Sequence, residues 1–222
     1  MVGGGGLPLL FQGCEVVQTG WWDNDGHHGL QWSLAADDTG RAMIKAVADI
    51  NLVRCENAAL RGGWCVEFLP YKHAPRKMHF FRFNVLHEDP VNGVVAFERC
   101  LEGSPRMVVV VNAGKGEWTG GEYGIWVGGG QFEEVMCTQD MQYSQNFRIA
   151  NNFSRGRLRA SDDGRLYINL PATCTVMLRQ VPDGTPENML PPAATPTIPH
   201  HIRAINPNGA MATQTPTGGA FD

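Results

Sequence analysis

The stretch LPLLFQGCEVVQTGWWDNDGHHGLQW, Leu7 to Trp32, concentrates side chains able to do chemistry: Glu15, Asp23, Asp25, His27, His28 and the three tryptophans Trp21, Trp22 and Trp32. Cleaving or transferring a glycosidic bond takes two carboxylates that flank it. Glu15 follows an apolar run and is fixed in place, but its only near partners, Asp23 and Asp25, sit in a loop of Gly and Asn whose reach the spacing does not set. We therefore read Glu15 as a structural rim carboxylate that receives hydrogen bonds. His27 and His28 are adjacent and point different ways in any regular structure, and no further ligand accompanies them, so no metal site is assigned. Asp23-Asn24-Asp25-Gly26 has the wrong glycine offset for a calcium loop and no glutamate to close it. Gly3 to Gly6 precede an apolar run and lack the GK[ST] ending of a phosphate loop. The sequence thus gives no catalytic residue, no metal and no cofactor. Trp21 and Trp22 carry a different signal: aromatic faces on a rim loop stack on sugar rings without any charge. Trp32, beside Leu30 and Leu34, is expected to pack under a helix.

The elements that would position these groups are a strand and a helix. Leu7 to Phe11 is a short continuous apolar run, the pattern of a strand buried on both faces. DDTGRAMIKAVADINLVRCENAAL then offers Asp38 and Thr39 as N-caps, with Met43, Val47, Ile50 and Val53 at helical spacing. Strand, loop and helix form one unit of an α/β architecture, too little to close a barrel alone. From Gly62 the texture changes. HFFRFNVL, GVVAFERC, RMVVVVNAG, YGIWVGGG, FEEVMCT, RLYINL and CTVMLRQV are rich in β-branched and aromatic residues and are divided by turn signals such as Asn92-Gly93 and Asp163-Gly164, which predicts an antiparallel β-sandwich of seven or eight strands. Ser144 to Ser161 reads as a polar loop. Residues 182–222 are too poor in large apolar groups to offset their ordering entropy and are expected to be disordered.

The net charge of −4 disfavours a nucleic-acid or anionic-membrane partner, since both reward a basic surface. The six cysteines form no CxxC pair or cluster, and most lie in apolar runs, which points to buried thiols in a reducing compartment. No apolar run reaches the ~18 residues of a membrane span, and no secretory leader is visible.

In their order along the chain, LPLLFQGCEVVQTGWWDNDGHHGLQWSL, RAMIKAVADINLVRCENAALRGG, HEDPVNGVVAFERC, VVVVNAG, YGIWVGGG and INLPATCTVMLRQV resemble the alpha-amylase superfamily of glycoside hydrolases, with 1,4-alpha-glucan branching enzymes as the nearest likeness. The resemblance implies a mainly β fold: residues 1–61 as the end of a (β/α)8 catalytic barrel, 62–181 as the C-terminal antiparallel β-sandwich, and 182–222 as the tail. It implies a retaining transfer of an α-1,4-glucan segment to a glucan 6-hydroxyl, with starch or glycogen as partner inside the cell, in cytoplasm or plastid. In that family the catalytic carboxylates follow earlier barrel strands, and none of their motifs is present here. The chain alone is accordingly expected to be inactive. Glu15 matches the family's GxE position at the barrel rim, while Gln18, Trp21, Trp22 and Asp23 occupy the loop that borders the glucan cleft and are the expected substrate contacts. GCEVVQTG departs from the usual GxEFGQ there. Two other readings stay open: a fragment of an alpha-amylase-type hydrolase, and a non-catalytic glucan-binding β-sandwich that uses Trp118, Tyr123 and Trp126. In each case the strand and helix before Gly62 are expected to expose apolar surface and to lower solubility unless removed.

Overall fold

The computed structural model of the protein describes residues 8–20, 29–61, 81–143 and 157–182. Helix α1 spans Asp38–Glu56 and is followed by the short α2, Ala58–Arg61. Eight strands follow: β1 Phe81–Asp89, β2 Val94–Leu101, β3 Met107–Asn112, β4 Trp118–Trp126, β5 Gln131–Cys137, β6 Leu158–Arg159, β7 Arg165–Leu170 and β8 Cys174–Val181. They build a six-stranded sheet in the order β1-β2-β3-β8-β5-β6 and a two-stranded sheet of β4 and β7, with all pairings antiparallel.

The two sheets pack face to face. Ala96, Val108, Val110, Phe132, Val176 and Leu178 of the large sheet meet Ile125, Leu166, Ile168 and Leu170 of the small one in a single apolar cluster. The opposite face of the large sheet is also covered. There Met107, Val109, Met136 and Met177 pack against Val53 of α1 and Ala59 and Leu60 of α2. Period-two alternation therefore sends even-numbered residues of β3 to the sandwich and odd-numbered ones to the helices. This is why Met107, Val108, Val109 and Val110 are all buried, at 0–1% exposure: with both faces of this central strand covered, successive residues are buried whichever way they point.

One buried polar side chain fixes the turns at the end of this core. Asn112, 1% exposed, donates from Nδ2 to the carbonyls of Gly116 at 2.9 Å and Pro171 at 2.7 Å, and its Oδ1 accepts from the Gly114 amide at 2.9 Å. Asn112→Ala would leave those backbone groups without partners, and each buried loss costs about 1–3 kcal/mol. We expect a destabilisation of roughly 2–4 kcal/mol, to be read from urea unfolding midpoints. A change below about 0.5 kcal/mol, the level of a neutral surface substitution, would contradict the role.

Several expectations are corrected here. Residues 8–11 are not a strand, and Leu9, Leu10 and Phe11 are 72%, 50% and 58% exposed. A buried strand needs a paired strand beside it, and no strand pairing among the described residues includes this segment. The N-cap of α1 is Asp37, one residue before the predicted candidates, with its Oδ1 accepting from the Gly40 amide at 2.6 Å. Of the helical apolar positions only Val53 is fully buried, while Met43 is 37% exposed. The two-residue strand β6 lies inside the stretch read as a polar loop. Cys137 and Cys174 are buried thiols, but Cys14 and Cys55 are exposed. Cys65 and, apart from Pro182, the expected disordered tail lie outside the described residues.

Candidate functional site

The rim segment begins with a tight reversal. Gly13 has φ 94°, Cys14–Val16 form a 3-10 turn, and Val17 leaves it at φ 58°. Glu15 Oε2 accepts from the Gly13 amide at 2.9 Å, so its carboxylate stabilises the turn that carries it. Gln18 is engaged with the backbone at both ends of its amide: Nε2 donates to the Gly29 carbonyl at 3.0 Å, and Oε1 accepts from the Gln31 amide at 2.9 Å. It ties the backbone on the two sides of residues 21–28 together. Trp21, Trp22 and Asp23 lie outside the described residues, as do His27 and His28. Trp32 is 69% exposed and does not pack under the helix as expected, because the 3-10 turn Trp32–Ala36 has no buried residue and directs the indole outward.

An open groove of about 930 Å³ runs between the first half of α1 and the segment after β5, lined among others by Met43, Val47, Met136, Met141 and Tyr143. Its floor is pinned by a polar contact that the sequence did not reveal. Asp49 Oδ2 accepts from the Tyr143 hydroxyl at 3.0 Å and pairs with Lys45 Nζ at 2.6 Å, while Lys45 also sits 5.4 Å from the Tyr143 ring centre. Burial first, and then the Asp49 carboxylate, raise the Tyr143 phenol well above its ordinary value, so it remains a donor throughout the physiological range. This contact adds a polar tie between helix α1 and the β domain beside the apolar cluster that contains Val53, Leu60 and Tyr143.

The aromatic residues of the glycine-rich strand divide between the two faces of the small sheet. Tyr123 is 7% exposed and faces the core; its hydroxyl donates to Asp89 Oδ2 at 3.0 Å and lies 3.0 Å from His87 Nε2. The Trp118 ring packs on Tyr123 with centres 4.5 Å apart. These two are therefore structural. Trp126 points outward at 51% exposure, and the register places it on the same face as Tyr167, which is 48% exposed. Tyr167 escaped notice in the sequence, although the alternation of RLYINL, with Leu166, Ile168 and Leu170 buried, marks it as an outward position.

The family of alpha amylase C-terminal all-beta domains matches residues 85–181, a span that runs from β1 through β8. Over 180 residues, 80% of the chain, the protein is 28% identical to the 1,4-alpha-glucan branching enzyme GlgB of Bradyrhizobium sp., and those residues make up 22% of that relative. The enzyme of the same name from Pseudomonas aeruginosa is 28% identical over 181 residues, 78% of this chain and 22% of its own length. A shorter likeness, 46% over 55 residues, links the chain to the branching enzyme of Rhodopirellula baltica, covering 25% of this chain and 7% of that one. The chain thus spans about a fifth of the length of the Bradyrhizobium and Pseudomonas relatives. Residues 85–181 match the family of alpha-amylase C-terminal all-beta domains, in a chain that is similar to 1,4-alpha-glucan branching enzymes over four fifths of its length.

Proposed function

We propose that this chain is the C-terminal part of a 1,4-alpha-glucan branching enzyme, in which residues 1–61 complete the catalytic barrel and the β domain supports it from outside. The observation that carries this reading is the similarity to branching enzymes extending across 80% of the chain, beyond the β domain itself. Two structural features support it. Helix α1 is fastened to the β domain by Val53 and by the Tyr143–Asp49 bond, so the two parts form one block through which a barrel could be held. Leu9, Leu10 and Phe11 are exposed together, as an apolar segment is when its covering neighbours belong to another part of the protein. Gln18, Trp21, Trp22 and Asp23 border the glucan cleft in this reading, with Glu15 and Gln18 holding the loop in shape. The five described thiols, two of them exposed, suit a reducing compartment, and we place the protein inside the cell.

Transfer to a 6-hydroxyl requires two carboxylates flanking the donor bond, and we place these in the upstream part of the barrel. The purified 222-residue chain is therefore expected to form no α-1,6 linkages on amylose, as read by proton NMR, whereas a protein carrying the whole barrel forms them. Branching by the short chain would refute the assignment of the carboxylates. Hydrolysis without transfer by the longer protein would replace the branching reading with an amylase-type one.

A further inference from the structure

We propose that the outer face of the small sheet, β4 and β7, is a carbohydrate-binding platform in which Trp126 and Tyr167 are the stacking rings and an α-1,4-linked glucan is the ligand. The identity of the sugar rests on the reading of the chain as part of a branching enzyme; the platform itself rests on the following geometry.

Gly124 pairs with Tyr167 and Trp126 with Arg165, so the two rings stand at diagonal positions on one face, the separation at which aromatic side chains form a shared surface. The inner face of the same strands is sealed in the core through Ile125, Leu166 and Ile168. Each ring lies on glycine. A methyl group placed on Gly124 would fall 2.9 Å from Tyr167 Cε1. The Trp126 indole spans two more glycines: its Nε1 end would meet a methyl on Gly164 at 3.1 Å, and its Cη2 end one on Gly128 at 3.4 Å. Side chains at these positions would lift the rings; glycine lets them lie down on the sheet with one face to solvent.

The floor under Trp126 is held from behind. Arg106 donates to the carbonyls of Val127 at 2.9 Å and Gly129 at 3.0 Å, pairs with Glu98 at 3.0 Å and lies over the Phe132 ring. Gly164 closes the other side, its carbonyl accepting from the Val127 and Gly128 amides. The rings are thus fixed before any ligand arrives, which lowers the entropic cost of binding.

The surroundings favour a neutral polyhydroxylated ligand. Glu122 and Asn169 flank the rings at one end, and at the other Arg165 pairs with Asp163 at 3.6 Å, so charges of both signs are present with donors and acceptors beside the aromatic faces. A protein partner of ordinary affinity buries about 1,200–2,000 Å² around an apolar centre, and two rings bounded by charged side chains offer far less.

The test is retardation of the full chain in native gels cast with soluble amylose and, separately, with hydroxyethylcellulose. Retardation in amylose is expected, with affinity reduced roughly tenfold or more in Trp126→Ala and Tyr167→Ala, while thermal melting is unchanged because both side chains are half exposed. Tyr167→Phe should keep binding, and Gly124→Ala should weaken it although no aromatic is lost, since the added methyl displaces the Tyr167 ring. Retardation that all these variants leave intact would overturn the platform by assigning binding to another surface. Absence of retardation in both gels would also overturn it, yet would leave the branching reading to stand or fall on the linkage assay. Variant-sensitive retardation in hydroxyethylcellulose alone would keep the stacking rings but overturn the α-glucan as their ligand.

Discussion

A chain shortened to begin at Gly62 is expected to aggregate or to lose its fixed tertiary structure. The sequence by itself argues the opposite, since an orphan strand and helix look like apolar debris whose removal helps solubility. The structure reverses the sign. Val53, Ala59 and Leu60 are 8%, 0% and 0% exposed, and they cover Met107, Val109, Met136 and Met177 on the outer face of the large sheet. Removing them exposes the second face of the two central strands, β3 and β8. Each large apolar side chain returned to water costs about 1.5–3 kcal/mol, so losing cover from three or four of them approaches the whole ~5–15 kcal/mol that holds a typical domain together. Near-UV circular dichroism and gel filtration of residues 62–222 provide the check. A monomer that melts as cooperatively as the full chain would show that the helices contribute nothing to the sheet. A milder form of the same test is Leu60→Ala, for which we expect a loss of about 2–5 kcal/mol in a chain that stays soluble. Among the described residues Leu9 to Phe11 are half exposed or more, and replacing Leu9 and Leu10 with polar residues is the change expected to improve solubility.

The same face explains what could and could not be read beforehand. Seven of the eight strands announced themselves, because their β-branched runs are cut by Gly, Pro and Asn at the turns. Strand β6 did not, since two residues joined to a sheet edge carry no periodicity. The run Val108 to Val111 held the information that a third layer exists, because a continuous apolar strand means two covered faces. The reading that both faces were covered was instead applied to Leu7 to Phe11, whose neighbours are not supplied by the described residues. Burial in a parallel sheet belongs to the whole sheet and cannot be inferred from one strand. Among the site residues, Glu15 and Gln18 were legible as a glutamate and a glutamine on a turn, but their partners Gly13, Gly29 and Gln31 are backbone groups, which leave no mark in side-chain patterns. Trp118, Tyr123 and Trp126 look alike in a glycine-rich strand; alternation puts Tyr123 and Trp126 on opposite faces, and the irregular register between Trp118 and Tyr123 brings Trp118 to the core side. The bond between Tyr143 and Asp49 joins residues 94 apart in sequence, and no local signal reports such a pair.

Folding stability is expected to fall as pH rises from about 5 to 9, with Glu134 as the source. This side chain is on β5 beside β8, and its Oε2 is buried without a hydrogen-bond partner among the described residues. Burial, followed by the nearby Cys137 and Asp140, pushes its carboxyl from 4.5 up to about 9. The native protein therefore keeps a proton that the unfolded chain releases above 4.5. Where the native state binds more protons than the unfolded one, stability declines with rising pH, here by at most ~1.4 kcal/mol per unit for the single proton involved. Among the described residues, the other shifted carboxyls and the shifted thiols move away from this window. Asp89 and Asp163 are held below 3.8 by their hydrogen bonds to Asn92 and Ser161, so any stability they add is lost only as pH falls through that lower range. The thiols of Cys100 and Cys174 are raised above 9.0 and contribute only beyond the upper end. Glu134→Gln keeps the shape of the neutral acid and removes its titration. Urea midpoints measured at about pH 6 and about pH 9 should differ in the native sequence and converge in this variant, which should also be the more stable of the two at the higher pH. Equal slopes in both proteins would mean that Glu134 is hydrated and charged in the folded state, and that the seam between β5 and β8 admits water.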